Sequence, residues 1–216
     1  MISPIRQHRD QLLHLLVHFC AIFPLAWLVW DFFTGNLTAN PIQAATLRTG
    51  KAAIVLLVLT LAVTPFYTIF GFKPVLTIRR TLGLYTFLYV SIHFLIFVGL
   101  DYGFDPGLLK EAIFEKRYAL VGLAAGLILL PLAVTSSRGW MKRLGKKWKQ
   151  LHQFIYLASV LAVFHFMWLV KGDIREPLWF GLLVAVLLLA RIPAIRRRLA
   201  GLRRSWITRT PNLTNR

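Results

Sequence analysis

The 216 residues are 57% hydrophobic, with a mean hydropathy of +0.62 and 26 Lys and Arg against 8 Asp and Glu. Apolar runs this long and frequent exclude a soluble globular domain. Basic residues clustered between those runs make membrane orientation, not nucleic acid, the account of the net charge of +18. A single cysteine, Cys20, and the absence of CxxC and CxxCH exclude an intrachain disulfide, a zinc ribbon and covalent c-type haem.

Six apolar runs predict six membrane-spanning helices, at about 12–33, 52–70, 82–100, 119–134, 151–170 and 178–195, in a single domain spanning 1–216 with a basic tail over 196–216. The first run is too long for the apolar region of a cleaved signal. Gly35-Asn36, Asn40-Pro41, Gly71 with Pro74, Asp105-Pro106-Gly107 and Glu176-Pro177 punctuate the runs as loops, and Pro24 predicts a kink in the first helix. With both termini cytoplasmic, 19 of the 26 Lys and Arg lie inside, and every acidic residue except Asp10 lies towards the outer ends of the spans. The Lys and Arg bias therefore predicts cytoplasmic termini, with spans three and five running in the same direction.

Six histidines fall along the chain. His8 precedes the first span and reads as solvated. His14 and His18 lie one helical turn apart near the inner end of that span, where packing at the interface accounts for them. His93 lies deep in span three. His152 and His165 lie thirteen residues apart in span five, about 19 Å along a helix. Ionisable residues at such depth are costly and mark function. Counted from the basic anchors Arg80 and Lys149, His93 and His165 agree in depth to about 5 Å, whereas His93 and His152 differ by about 15 Å. Two imidazoles facing each other at one depth can ligate haem iron from both sides, an arrangement suited to electron transfer. On an ideal helix thirteen residues rotate a side chain by about 220°, so His152 and His165 share a neighbour only if the helix is distorted.

Other signals carry less. Gly122 and Gly126 form a GxxxG motif in span four, suited to close helix packing. Trp140, Leu144 and Trp148 share a face of a basic segment that reads as interfacial, drawn to membrane lipid or receiving a cytosolic donor protein. Trp27, Trp30, Tyr102, Trp168 and Trp179 read as an aromatic belt near the outer ends.

The segments RRTLGLYTFLYVSIHF (79–94), VTSSRGWMKRLGKKWKQLHQFIYL (134–157) and NPIQAATLRTGKAAI (40–54), with the later His165, resemble the ferric reductase-like transmembrane family, to which the NADPH oxidases belong. Within it, the chain is similar to the haem-binding membrane subunits of periplasmic methionine sulfoxide reductase systems. That resemblance implies an all-α bundle of six transmembrane helices in the bacterial inner membrane, with haem between helices 3 and 5. It implies b-type haem, one or two, and admits FMN or a quinone, although no residue offers a recognisable FMN site. It also implies electron delivery to a separate periplasmic molybdopterin enzyme that reduces methionine sulfoxide. His93 and His165 are then the axial ligands of one haem. His152 is a less secure ligand, serving a second haem, a flavin or a quinone. Two-haem oxidases carry paired histidines on both ligand helices, whereas here Arg79 stands fourteen residues before His93. Arg79 is thus a cofactor-binding candidate for a propionate or phosphate, not an iron ligand. The oxidases' flavin and NADPH domain has no counterpart in the 21 residues after Ile195, so a cytosolic flavin reductase or the quinone pool is the expected donor. Two rivals stay open: a stand-alone ferric or cupric reductase of the same fold, and a redox-silent transporter or assembly protein whose histidines only pack.

Overall fold

The computed structural model describes residues 4–170 and 172–209, with side chains described for 8–170 and 172–201. The start of the N-terminal segment and the end of the basic tail expected over 196–216 lie outside the described residues. The described elements are helices, with no strand among them.

Helix α1 (Pro4–Phe33) runs unbroken through Pro24. Helix α2 (Pro41–Phe70) begins eleven residues before the apolar run it was expected to follow. Asn40 and Pro41 start this helix instead of closing a loop. The Asn40 side chain accepts from the Gln43 N–H, and Pro41 at the first helical position has no N–H to leave unpaired. Gly71, at φ 70°, ends α2 in the left-handed conformation, its N–H bonded to the Tyr67 carbonyl. Helix α3 (Val75–Leu95) continues into a π-helical turn (Ile96–Asp101).

A short helix missing from the sequence reading, α4 (Pro106–Glu115), fills the next connection. Asp105 caps it by accepting from the N–H groups of Gly107 and Leu108. Helix α5 (Arg117–Val134) follows, then α6 (Arg138–Leu144), α7 (Lys146–Gln153) and α8 (Ile155–Leu169). Gly145, at φ 51° and ψ −121°, turns the chain between α6 and α7. Trp140 and Leu144 therefore do not share a helical face with Trp148, because a glycine with that backbone ends the helix between them.

The sixth expected span is also modified. Helix α9 (Arg175–Leu189) stops short of Ile195, and α10 (Pro193–Arg209) leaves at 82°. Pro193 begins α10, and a proline disfavours helical backbone in the residue before it. Among the described residues, five helices are long and apolar enough to cross a membrane, and a sixth is added if the bent α9–α10 pair counts as one span.

Helix α2 is the centre of the bundle, half of its most apolar window being buried, against 17–22% for the other four. It packs chiefly on α3, and α5 packs chiefly on α8. Leu56 and Leu82 join the α1, α2 and α3 contact. Leu61, Val163 and Val184 join α2, α8 and α9, and Leu129, Leu132 and Ala158 join α5 and α8. Tyr89, 1% exposed, donates to the Ala21 carbonyl and ties α3 to α1. Large apolar side chains cover the outside, Phe19, Trp30 and Trp179 among them, as a surface facing hydrocarbon requires.

Candidate cofactor site

A cavity of about 1090 Å³ opens between α2, α3, α5 and α8, and His93 and His165 both line it. It exceeds the usual range of small-ligand pockets, about 300–1,000 Å³. The two rings stand 6.1 Å apart between centres, with planes at 86°.

Each ring is held in the same way. His93 Nδ1 lies 2.9 Å from the Thr46 carbonyl oxygen on α2, and His165 Nδ1 lies 2.7 Å from the Tyr118 carbonyl oxygen on α5. A carbonyl has no proton to give, so both Nδ1 atoms donate and both Nε2 atoms carry the lone pair. This is the tautomer that binds a metal through Nε2. One turn beyond each carbonyl, a glycine lies against the ring. A Cβ on Gly50 would stand 3.1 Å from His93 ring atoms, and one on Gly122 2.6 Å from His165. Only hydrogen fits at Gly122, while at Gly50 a methyl would require the ring to give by a few tenths of an ångström. The GxxxG motif is thus split in use, with Gly122 facing α8 and Gly126 facing α3, where an added Cβ would lie 3.5 Å from Val90.

The two holders repeat. Thr46, Gly50 and His93 correspond to Tyr118, Gly122 and His165 at a constant offset of 72 residues. The sequence bears the trace: Gly50-Lys-Ala-Ala and Gly122-Leu-Ala-Ala share that offset, and each is followed by Leu-Ala-Val-Thr, at 61–64 and 132–135, one residue out of the same register. The sequence reading missed Gly50, Thr46 and Tyr118. This repeat is the signal that could have found them.

The residues present fit a haem. With an imidazole nitrogen about 2.0–2.1 Å from a first-row metal, two rings on opposite sides of one ion have centres roughly 6.3 Å apart. The observed 6.1 Å agrees. Among the described residues no group of three or more His, Cys, Asp or Glu converges. Two ligands are too few for a bare first-row ion, which takes about four or more donors. A macrocycle supplying the equatorial nitrogens completes the set, and the cavity has room for one. At its mouth, Lys51 pairs with Glu176 at 2.6 Å, Arg48 pairs with the buried Asp31, and Lys116 donates to the Tyr102 hydroxyl at 2.7 Å. That bond holds the Lys116 ammonium above its usual pKa. Lys116, the one of these three cations not paired with a carboxylate, suits a ligand with an acidic substituent.

His152 does not line this cavity. It lies on α7, its Nδ1 3.1 Å from the Trp148 carbonyl oxygen and its ring stacked on Trp148 at 4.0 Å. The distortion that a shared neighbour requires is present: Phe154 N–H bonds back to Leu151, a tightened step between α7 and α8. It still leaves His152 apart from the facing pair, and its buried Nε2 has no hydrogen-bond partner. Arg79, half-buried on α3, is the charged neighbour of His152. His18 Nδ1 lies 2.7 Å from the Tyr85 hydroxyl, a packing contact between α1 and α3.

Residues 49–163 match the model of the ferric reductase-like transmembrane component family. The chain is 44% identical over 195 residues to the protein-methionine-sulfoxide reductase heme-binding subunit MsrQ of Rhodospirillum rubrum, covering 89% of this chain and 94% of that protein. It is also 44% identical over 180 residues to the MsrQ of Xanthomonas axonopodis pv. citri, covering 80% and 82%. No solved structure matches the chain. With a family model over more than half its length and such relatives over nearly all of it, the chain belongs to the MsrQ family of ferric reductase-like transmembrane proteins.

Proposed function

We propose that this chain is a haem b electron-transfer subunit of the bacterial inner membrane, delivering electrons to the periplasmic molybdopterin methionine sulfoxide reductase MsrP. One observation carries the reading: two imidazoles face each other at 6.1 Å across a large cavity, each fixed through Nδ1 to a backbone carbonyl. A packing role would need neither the matched carbonyls nor the glycines that admit the rings.

His93 and His165 would hold the iron through Nε2. Haem b would supply a one-electron Fe(III)/Fe(II) couple there, and ligation by both His93 and His165 would leave no position for oxygen. The Thr46 and Tyr118 carbonyls keep the tautomer and ring orientation. The apolar walls formed by Leu57, Phe87, Val90 and Leu129 keep water from the rings. His152 and Arg79 mark a second locus near the basic end of the bundle, where a second haem, FMN or a quinone would receive electrons from quinol or a cytosolic flavin reductase. The Lys and Arg bias supports an orientation with that end in the cytoplasm and the cavity mouth towards the periplasm.

Purified protein should show a Soret band with reducible α and β bands, and a pyridine haemochrome assay should count the haem. Reduced membranes containing the chain should support methionine sulfoxide reduction only when MsrP is added. Protein without the haem bands would sink the reading. Reporter fusions after Arg48, Lys110 and Arg175 should behave as periplasmic, and one after Lys146 as cytoplasmic; the inverse pattern would reverse the direction of electron flow.

A further inference from the structure

Two tyrosines one turn apart on α3 reach across to α1, and they are not equivalent. Tyr89 is buried and donates at 2.7 Å to the Ala21 carbonyl, a bond that fastens the two helices. Tyr85 is half-buried and meets an ionisable partner instead. Its hydroxyl lies 2.7 Å from His18 Nδ1, with the rings edge to face and their centres 5.5 Å apart. Packing at this place asks only for the two rings, and the fastening bond is already made one turn away. Both residues belong to helices long and apolar enough to cross a membrane, and the exposed Leu15, Phe19 and Leu88 flank them along the chain. A polar pair on a face that turns to hydrocarbon is costly unless it has a use.

The pair lines a groove of about 340 Å³ between α1 and α3. That volume falls at the lower end of the usual range of small-ligand pockets, about 300–1,000 Å³. Arg80 and Thr81 line the groove towards its basic end, and Leu84 and Leu88 supply apolar wall. Tyr85 stands five residues past Arg80, about 7.5 Å along the helix, so the pair lies deeper than the basic anchor.

His18 and Tyr85 can share their hydrogen bond in two ways. In one tautomer the Tyr85 hydroxyl donates to Nδ1, and Nε2 carries a proton to donate elsewhere. In the other, Nδ1–H donates to the hydroxyl oxygen, and Nε2 carries a lone pair. Among the described residues neither side chain makes a second hydrogen bond. Nε2 is therefore free to be a donor or an acceptor, and no heavy atom need move between the two.

We propose that the His18–Tyr85 pair binds the headgroup of a lipid-soluble quinone or quinol in the α1–α3 groove. The chemistry matches on three counts. The flat ring suits an apolar groove of this size. The long apolar tail stays among lipid chains, because the groove opens on the outside of the bundle. The ring oxygens accept hydrogen bonds as quinone carbonyls and donate them as quinol hydroxyls, the same alternation that Nε2 offers. A phospholipid phosphate would engage Arg80 and leave the His18–Tyr85 pair unused. The site deepens the proposed function and rests on that reading for the use of a quinol donor, which it places on α1 and α3 instead of beside His152.

The test uses the full chain in phosphatidylcholine nanodiscs, photolabelled with an azido-ubiquinone and mapped by peptide mass spectrometry. Label should fall on the segments holding His18 and Arg80–Leu88, and excess decylubiquinone should remove it. Tyr85→Phe keeps the ring and its packing; His18→Phe keeps a ring and removes both nitrogens. Each should lower the competed label about fivefold, the loss expected for one hydrogen bond. His14→Phe, one turn earlier on α1 and outside the groove, should leave it unchanged. Competed label at the His152 end instead, or label that decylubiquinone does not remove, overturns the site. Equal label in wild type and Tyr85→Phe, or an equal loss in His14→Phe, overturns the role of the pair. Removal of the label by added phosphatidylglycerol as readily as by decylubiquinone makes the groove a lipid headgroup site and overturns the quinone. Bound probe is read here, not haem, so this site and the haem reading can fail separately.

Discussion

The α2–α3 and α5–α8 pairs hold their histidines alike and differ in nearly everything else. Each presents a carbonyl, a glycine one turn later and a histidine 47 residues after the carbonyl. Around that shared holder, α2 is the most buried helix of the bundle while α5 lies at its side. Lys51, beside Gly50, pairs with Glu176, whereas the residue at the corresponding place in the second half is Leu123. Towards the basic end the first half offers Arg79 and the second His152. The comparison teaches that the two halves agree where they hold the two rings that face each other across the cavity. Elsewhere each half has taken the side chains its own neighbours allow.

The largest effect should come from removing either shared ligand. His93→Ala and His165→Ala should each abolish the low-spin bis-histidine signal in electron paramagnetic resonance, and to the same degree, as the proposed ligation by both rings requires. A signal that survives in either variant means the pair is wrongly assigned.

Glycine substitutions should separate the halves. A methyl on Gly122 would meet the His165 ring at 2.6 Å, closer than real side chains approach, whereas one on Gly50 would meet His93 at 3.1 Å. Gly122→Ala should cost about 1–3 kcal/mol, typical of overpacking, and deplete haem; Gly50→Ala should do less of both. Haem-to-protein ratio and thermal unfolding in detergent measure this. The reverse order would mean that α5 yields more easily than α2.

His152→Ala probes the part without a twin. It should slow reduction from the basic side, followed by stopped flow, while leaving most of the haem bound. Complete loss of haem would make His152 a primary ligand and leave the facing pair insufficient.

The smallest effect belongs to the mouth. Lys51 and Glu176 are both substantially exposed, and exposed ion pairs contribute about 0–1 kcal/mol. Lys51→Gln should therefore move thermal stability little and leave the spectrum of the facing pair unchanged. A large spectral change would show that this pair governs access to the cavity.

Sequence alone was enough for the helical membrane class, because runs of apolar residues near bilayer length have few other uses. Depth counting from the basic anchors also paired His93 with His165, since rise per residue is constant whatever the packing. It could not see the helix start at Asn40, which depends on a cap, or α4, whose ten residues carry too weak a pattern to separate from a loop. Whether Gly122 was incidental or placed against an imidazole depends on which helix lies opposite, and a GxxxG motif does not name its partner. Arg191 drew no attention because it reads as one more basic residue after an apolar run. Only the packed chain brings it to the Leu61 carbonyl freed by Pro65 and to the Tyr156 hydroxyl. Periodicity and composition report what each segment prefers by itself. Which unsatisfied groups meet is decided when helices distant in sequence close on one another.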